Sequence, residues 1–94
     1  MFNIFNEKEN YRYVITRSVK YDNENEPLSA MNIYKYREIA LNTFNRLVDI
    51  WALDVVNNNS VIDKERDQEN DKKYKIRNNL LGEDIVITFE RIEA

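Results

Sequence analysis

The chain contains no cysteine and no histidine, and each absence removes a class of chemistry. Without cysteine there are no disulfides, no thiolate nucleophiles and no thiolate metal ligands, and a reducing compartment is the expected location. Without histidine the commonest general base and metal ligand is missing, so catalysis would have to depend on Ser, Thr, Lys, Tyr or paired carboxylates. We therefore expect a protein that is not an enzyme, with no catalytic residue, no metal site and no cofactor.

Glycine, proline and long apolar runs are also scarce. One glycine, Gly82, cannot build a phosphate-binding loop or a dinucleotide-binding turn, because both need several glycines. No stretch rich in Pro, Gly or Ser marks a linker, so residues 1–94 are expected to form a single domain. No segment approaches the roughly 18 consecutive apolar residues of a membrane span, and the first residues contain no basic leader. The sequence thus predicts a cytoplasmic protein without membrane contact.

Acidic residues exceed basic ones by 17 to 14, which gives a net charge of −3. Domains that bind a nucleic-acid backbone usually carry a basic excess, so this balance disfavours nucleic acid as the partner. Four Phe, six Tyr and one Trp supply material for a core, and this composition predicts a globular chain. Frequent Asn, Ile and Lys are typical of AT-rich coding sequence, as in a low-GC bacterium or its phages and plasmids.

Alternation of apolar and polar residues predicts strands near both ends of the chain. From Tyr11 to Tyr21 aromatic and β-branched residues occupy every second position, and only Arg17 interrupts the apolar side. Residues 74–77 and 85–92 are predicted to form a hairpin. Residues 1–10 are predicted to be either an edge strand or a tail.

Apolar residues at spacings of three or four predict one long amphipathic helix over about 30–55. Pro27 and Ser29 are typical of a helix start, since the serine hydroxyl can cap free backbone N–H groups. The apolar stripe includes Phe44 and Trp51, which are expected to pack on the strands. The predicted fold is therefore α+β, with a small antiparallel or mixed sheet of three to four strands and the helix on one face.

Residues 63–73 contain no apolar side chain and are predicted to be a charged loop. Acidic residues occupy every second position of this acidic ladder: Asp63, Glu65, Asp67, Glu69 and Asp71. In an extended segment these carboxylates would lie along one edge and could mimic phosphates in the basic nucleic-acid groove of a partner protein. The alternative is a solvated loop whose interleaved bases cancel the acids. A calcium loop is disfavoured, because Gln68 stands where glycine is required and Tyr74 where glutamate is required.

A second candidate surface combines basic and aromatic residues. Its basic members are Arg12, Arg17, Lys20, Lys35 and Arg37. Tyrosines interleave with them, and aromatic residues beside arginine stack bases in several RNA-binding modules. The alternative is that the tyrosines belong to the core and the basic side chains are merely solvated.

A third candidate surface is surplus apolar area. Val14, Val86 and Ile92 are predicted to lie on the strand face opposite the helix. An apolar remainder surrounded by charges is what a partner protein or a second copy of the chain would cover, although scattered apolar residues are also ordinary on surfaces.

From these features we expect a small non-enzymatic protein that acts by binding another protein, as an inhibitor or an adaptor. If the AT-rich composition reflects a phage or another mobile element, an anti-defence role of the anti-CRISPR or anti-restriction type is the concrete form. The alternative is a nucleic-acid-associated regulator that uses the basic and aromatic surface. A homodimer is a further expectation.

Overall fold

The computed structural model describes residues 10–52 and 60–94, which form five strands and one helix. The elements in chain order are β1 (Tyr11–Tyr21), β2 (Leu28–Tyr34), α1 (Arg37–Ala52), β3 (Ser60–Gln68), β4 (Asp71–Asn78) and β5 (Glu83–Glu93). The strands form one sheet in the order β2-β1-β5-β4-β3, and every neighbouring pair is antiparallel.

The predicted α+β fold with one helix packed on a sheet is confirmed, but the sheet has five strands rather than three to four. Predictions for residues 1–9 and 53–55 lie outside the described residues. Within the described ranges, no helix has the length and apolar character needed to cross a membrane.

The core lies between α1 and the central strands. Ala40 and Phe44 of the helix are fully buried. The Phe44 ring meets Tyr74 edge-on with 5.0 Å between ring centroids, and it meets Phe89 at 6.1 Å. The remaining buried apolar residues on this side of the sheet are Tyr13, Ile15, Ile76, Ile85 and Ile87. Phe44 thus anchors α1 to β4 and β5, since edge-to-face aromatic contacts add to the area buried, and the helix also packs on β1.

Each strand presents alternate side chains to two faces, and only one face is covered by α1. On β1, buried Tyr13 and Ile15 face the helix, so Val14, Thr16 and Ser18 face the other way. We call this second side the open face, because no described element packs on it.

The N-terminal part of the predicted helix is wrong: residues 28–34 form β2, and α1 begins at Arg37. β2 pairs with β1 continuously from Tyr34 opposite Tyr13 to Leu28 opposite Val19. These backbone hydrogen bonds outweigh the helical spacing of the apolar side chains. Pro27 stands directly before the strand, where its missing N–H interrupts no ladder.

The predicted charged loop at 63–73 is also wrong, because these residues belong to the β3–β4 hairpin. Its two-residue turn is Glu69–Asn70. The pairing register shifts between Lys64 and Arg66, where β3 contains a bulge. Cross-strand pairs of opposite charge, such as Asp63 with Lys75 and Asp67 with Lys72, stabilise the part of the hairpin that has no apolar side chain.

The β4–β5 hairpin agrees with the strands predicted at 74–77 and 85–92. Gly82 in its turn has φ of 63°, and a Cβ added there would lie 2.9 Å from Asp22 Oδ2. Arg77 binds the same carboxylate through two contacts of 2.8 Å. These contacts fasten the β1–β2 loop to the end of β4, and the Asp22 N–H donates to the Gly82 carbonyl oxygen of the turn at 2.9 Å. The hydrogen bond from Arg77 lowers the pKa of Asp22.

Candidate protein-binding surface

The acidic ladder does not form a single row in the structure. Asp63 lies opposite Lys75 and faces away from α1, whereas Asp67 accepts a hydrogen bond of 2.6 Å from the hydroxyl of buried Tyr74 on the helix side. Glu69 lies in the hairpin turn. The bulge after Lys64 breaks the period of two that would have aligned the carboxylates.

Most of these carboxylates are paired within the hairpin. Glu65 Oε2 lies 3.2 Å from the ammonium of Lys75 and 3.5 Å from that of Lys73. Asp71 lies 3.4 Å from Arg66. Hydrogen bonding to Lys75 lowers the pKa of Glu65, which keeps this carboxylate ionised beside its partners.

Residues 60–78 contain six basic and five acidic side chains, so the hairpin is not an acidic surface. A basic partner would have to displace ion pairs that already exist. Phosphate mimicry by the acidic ladder stays a prediction, and this geometry gives it little support.

The five basic residues of the second surface are divided among four places. Arg12 and Lys20 lie on the open face, and Arg17 lies on the helix side of β1. Lys35 lies between β2 and α1. Arg37 begins α1 and donates hydrogen bonds to Asn70 Oδ1 at 2.9 Å and to the Glu69 carbonyl oxygen at 2.7 Å. They therefore form no continuous basic surface.

The outer side of β2, which we call the β2 edge, is the most exposed apolar feature of the sheet. Leu28, Met31 and Ile33 retain 67%, 64% and 58% of their accessible surface. β2 contains no charged residue, no proline and no bulge. No described strand pairs with its outer side. A row of backbone N–H and C=O groups is thus open to another strand.

Three apolar residues lie together on the open face next to the β2 edge. Val14 lies directly opposite Ile33, and Met31 lies beside them opposite Thr16. The predicted open-face positions of Val14, Val86 and Ile92 agree with the pairing register. Sequence reasoning missed Met31 and Ile33 because it placed them in the helix.

The other side of β2 adjoins a groove beside α1. Two hollows of about 210 and 380 Å³ share Arg17 and Ala30 and are bounded by Leu47 and Trp51 of the helix. Arg17 is exposed and forms no ion pair with any described residue. An added strand would therefore place alternate side chains over the apolar patch and into this groove.

No group of three or more potential metal ligands occurs within residues 10–52 and 60–94. Comparison with protein-family models, with curated proteins and with solved structures found no match. Inference about function therefore depends on the surface chemistry of this chain.

Proposed function

We propose that this chain is a small non-enzymatic protein that binds other proteins by taking up an extended strand at the β2 edge. The observation that carries the proposal is an edge strand with open backbone groups, three exposed apolar side chains and no charge. Proteins usually protect exposed edges with lysine, proline, bulges or very short strands. β2 has seven residues and, apart from Pro27 just before it, none of these devices.

Strand addition would use both sides of β2. Backbone hydrogen bonds to the incoming strand supply affinity, and pockets for alternate side chains supply specificity. Met31 and Ile33 offer apolar contact on the open face, and the groove at Arg17 offers a cationic group on the helix side. A partner strand with an apolar face would cover the residues whose exposure is otherwise unfavourable.

A more specific form of the proposal is an inhibitor or adaptor from a phage or another mobile element, directed against a host defence protein of the CRISPR or restriction type. Its support is the small size of the chain and its Asn-, Ile- and Lys-rich composition. A nucleic-acid-associated regulator has less support, because its five basic residues are dispersed. Binding to DNA or RNA that weakens steeply as salt is raised would favour that alternative.

The test compares Met31→Lys with Val61→Lys in capture of proteins from an extract of the source host, with mass-spectrometric identification. Val61 is the matched control, because it lies on the other edge strand with a similar exposure of 60%. We expect Met31→Lys to lose the captured protein and Val61→Lys to retain it, with both variants folded as judged by far-ultraviolet circular dichroism. Equal capture by both variants would show that the β2 edge is not the contact surface.

A further inference from the structure

We infer that the strand taken up at the β2 edge is β2 of a second copy, in antiparallel orientation, so that the chain works as a two-fold symmetric dimer. This inference rests on the proposed function and names the partner at the same surface, so a strand of a host protein would compete with the second copy for the β2 edge. Three observations support a second copy: the charges that flank β2, its uncharged centre, and the protected state of the opposite edge of the sheet.

The charges flanking β2 have opposite signs at its two ends. Glu24 and Glu26 precede the strand, and Lys35 follows it. Glu26 and Lys35 are exposed and form no ion pair with any described residue. Antiparallel pairing of two copies brings the acidic end of each β2 beside the basic end of the other, and symmetry makes this contact twice. Parallel pairing would place like charges together, which is unfavourable.

The strand itself is suited to pairing with its own copy. Met31 is the central residue of β2, and a two-fold axis beside it would pair Leu28 with Tyr34 of the second copy and Ser29 with Ile33 of the second copy. No charged side chain enters this ladder, so no like charges meet at the axis. The exposed side chains of Met31 and Ile33 would be covered by their counterparts on the open face.

The two edges explain why assembly would stop at two copies. An axis perpendicular to the sheet keeps both α1 helices on one side and joins the sheets in the order β3-β4-β5-β1-β2-β2-β1-β5-β4-β3. Both outer strands of the combined sheet are then β3, which carries charged side chains and a bulge. Because these devices prevent further pairing, the interface closes rather than propagating.

Sedimentation equilibrium of the purified chain over a range of concentrations tests the stoichiometry. We expect a species of twice the 11.4 kDa chain mass. Met31→Lys places two ammonium groups at the axis and should give the monomer mass, whereas Val61→Lys should remain dimeric. A wild-type monomer throughout, or a dimer that Met31→Lys leaves intact, would overturn the inference.

The orientation is tested by exchanging charges at the two ends of β2. Glu26→Lys and Lys35→Glu should each raise the dimer dissociation constant about tenfold, because each creates two repulsive contacts by symmetry. The double variant Glu26→Lys/Lys35→Glu should recover affinity to within about threefold of wild type. Failure of the double variant to recover, with the single variants weakened, would exclude the antiparallel arrangement.

The inference and the proposed function fail in different ways. If the wild-type chain is monomeric but only Met31→Lys loses a captured host protein, the second copy is wrong and strand uptake at β2 stands. If the chain is monomeric and Met31→Lys captures proteins as wild type does, both are wrong.

Discussion

The two edges of this sheet are built in opposite ways. β2 has seven residues without a charge, and β3 has five consecutive charged residues from Asp63 to Asp67 among its nine, with a bulge at their centre. An edge strand that carries charge and a bulge resists pairing with other strands. Protection of one edge and not the other supports the proposal that β2 is a contact surface.

The same charges that protect β3 also hold it to β4. Glu65 contacts Lys73 and Lys75, and Asp67 contacts Lys72 at 2.9 Å. β2 depends instead on its backbone ladder with β1 and on a few contacts with α1. Side chains of β2 are thus left free for a partner, whereas those of β3 are already occupied.

The largest effect on assembly is expected when β3 loses the charges that distinguish it from β2. The triple variant Asp63→Thr, Glu65→Val and Arg66→Thr removes three of the five consecutive charges of β3 and introduces β-branched residues, which favours strand pairing. With both edges open, we expect assembly beyond the dimer, measured by sedimentation velocity. The control adds Met31→Lys to the triple variant, which leaves one open edge and should restore closed dimers. If the triple variant stays dimeric, the charges of β3 are not what prevents another strand from pairing with its outer side.

Replacing Phe44 by alanine is expected to have the largest effect on stability, about 3–5 kcal/mol for a buried phenylalanine. Phe44 packs on Tyr74 and Phe89, so its loss removes the main attachment of α1 to β4 and β5. Thr43 is the neighbouring control, because it faces the groove beside β2 and its hydroxyl bonds only the Ile39 carbonyl oxygen of its own helix. Thr43→Ala should change the free energy of unfolding by less than about 0.5 kcal/mol. Urea denaturation measures both, and equal losses would contradict the uneven packing of the helix.

Tyr74→Phe tests the attachment of β3 to the core. It removes the hydrogen bond from the Tyr74 hydroxyl to Asp67, and the expected loss of stability at neutral pH is about 1 kcal/mol. Tyr13→Phe is the control, since Tyr13 is equally buried and its hydroxyl has no hydrogen bond to a described residue. Equal effects of the two substitutions would show that the Asp67 contact adds nothing.

The pH dependence of the same pair gives a second measurement. Burial and the Asp67 carboxylate raise the pKa of Tyr74 to about 12. An unfolded tyrosine loses its proton near pH 10, so the folded chain should lose stability as pH rises from about 10 to 12. Tyr74→Phe should lack this contribution, and an unchanged alkaline slope would contradict it.

The parts of the fold that were predictable from sequence are those with one buried face. β1 and β5 alternate clearly because α1 covers one side and solvent or the open face lies on the other. The second half of the predicted helix was right because Ala40 and Phe44 point into a single core.

The two edge strands were missed for different physical reasons. β2 has apolar side chains on both faces, so period two is hidden, and its residues also match helical spacing. β3 has no apolar residue between Asp63 and Gln68, so nothing in a hydrophobic pattern marks it as a strand. Its pairing depends on lysines of β4, which only the register reveals. The candidate site could not be predicted for the same reason, since Met31 and Ile33 are recognisable as a binding surface only when β2 is known to be an edge strand.

The smallest expected effect concerns one exposed carboxylate of β3. Lys75 lowers the pKa of Glu65, so the ion pair contributes stability above the ordinary glutamate pKa and loses it as pH falls through the lowered value. Glu65→Gln should therefore reduce stability slightly at neutral pH. Its melting temperature should also decrease less than that of wild type between neutral and acid pH, as measured by thermal melts over that range. Glu69→Gln is the control in the same hairpin, because the Glu69 carboxylate forms no ion pair with a described residue. If Glu65→Gln leaves the dimer intact while Met31→Lys dissociates it, the charges of β3 act within the hairpin and the uncharged strand acts between molecules. Loss of the dimer in Glu65→Gln would instead place the dimer contact at β3 and contradict pairing through β2.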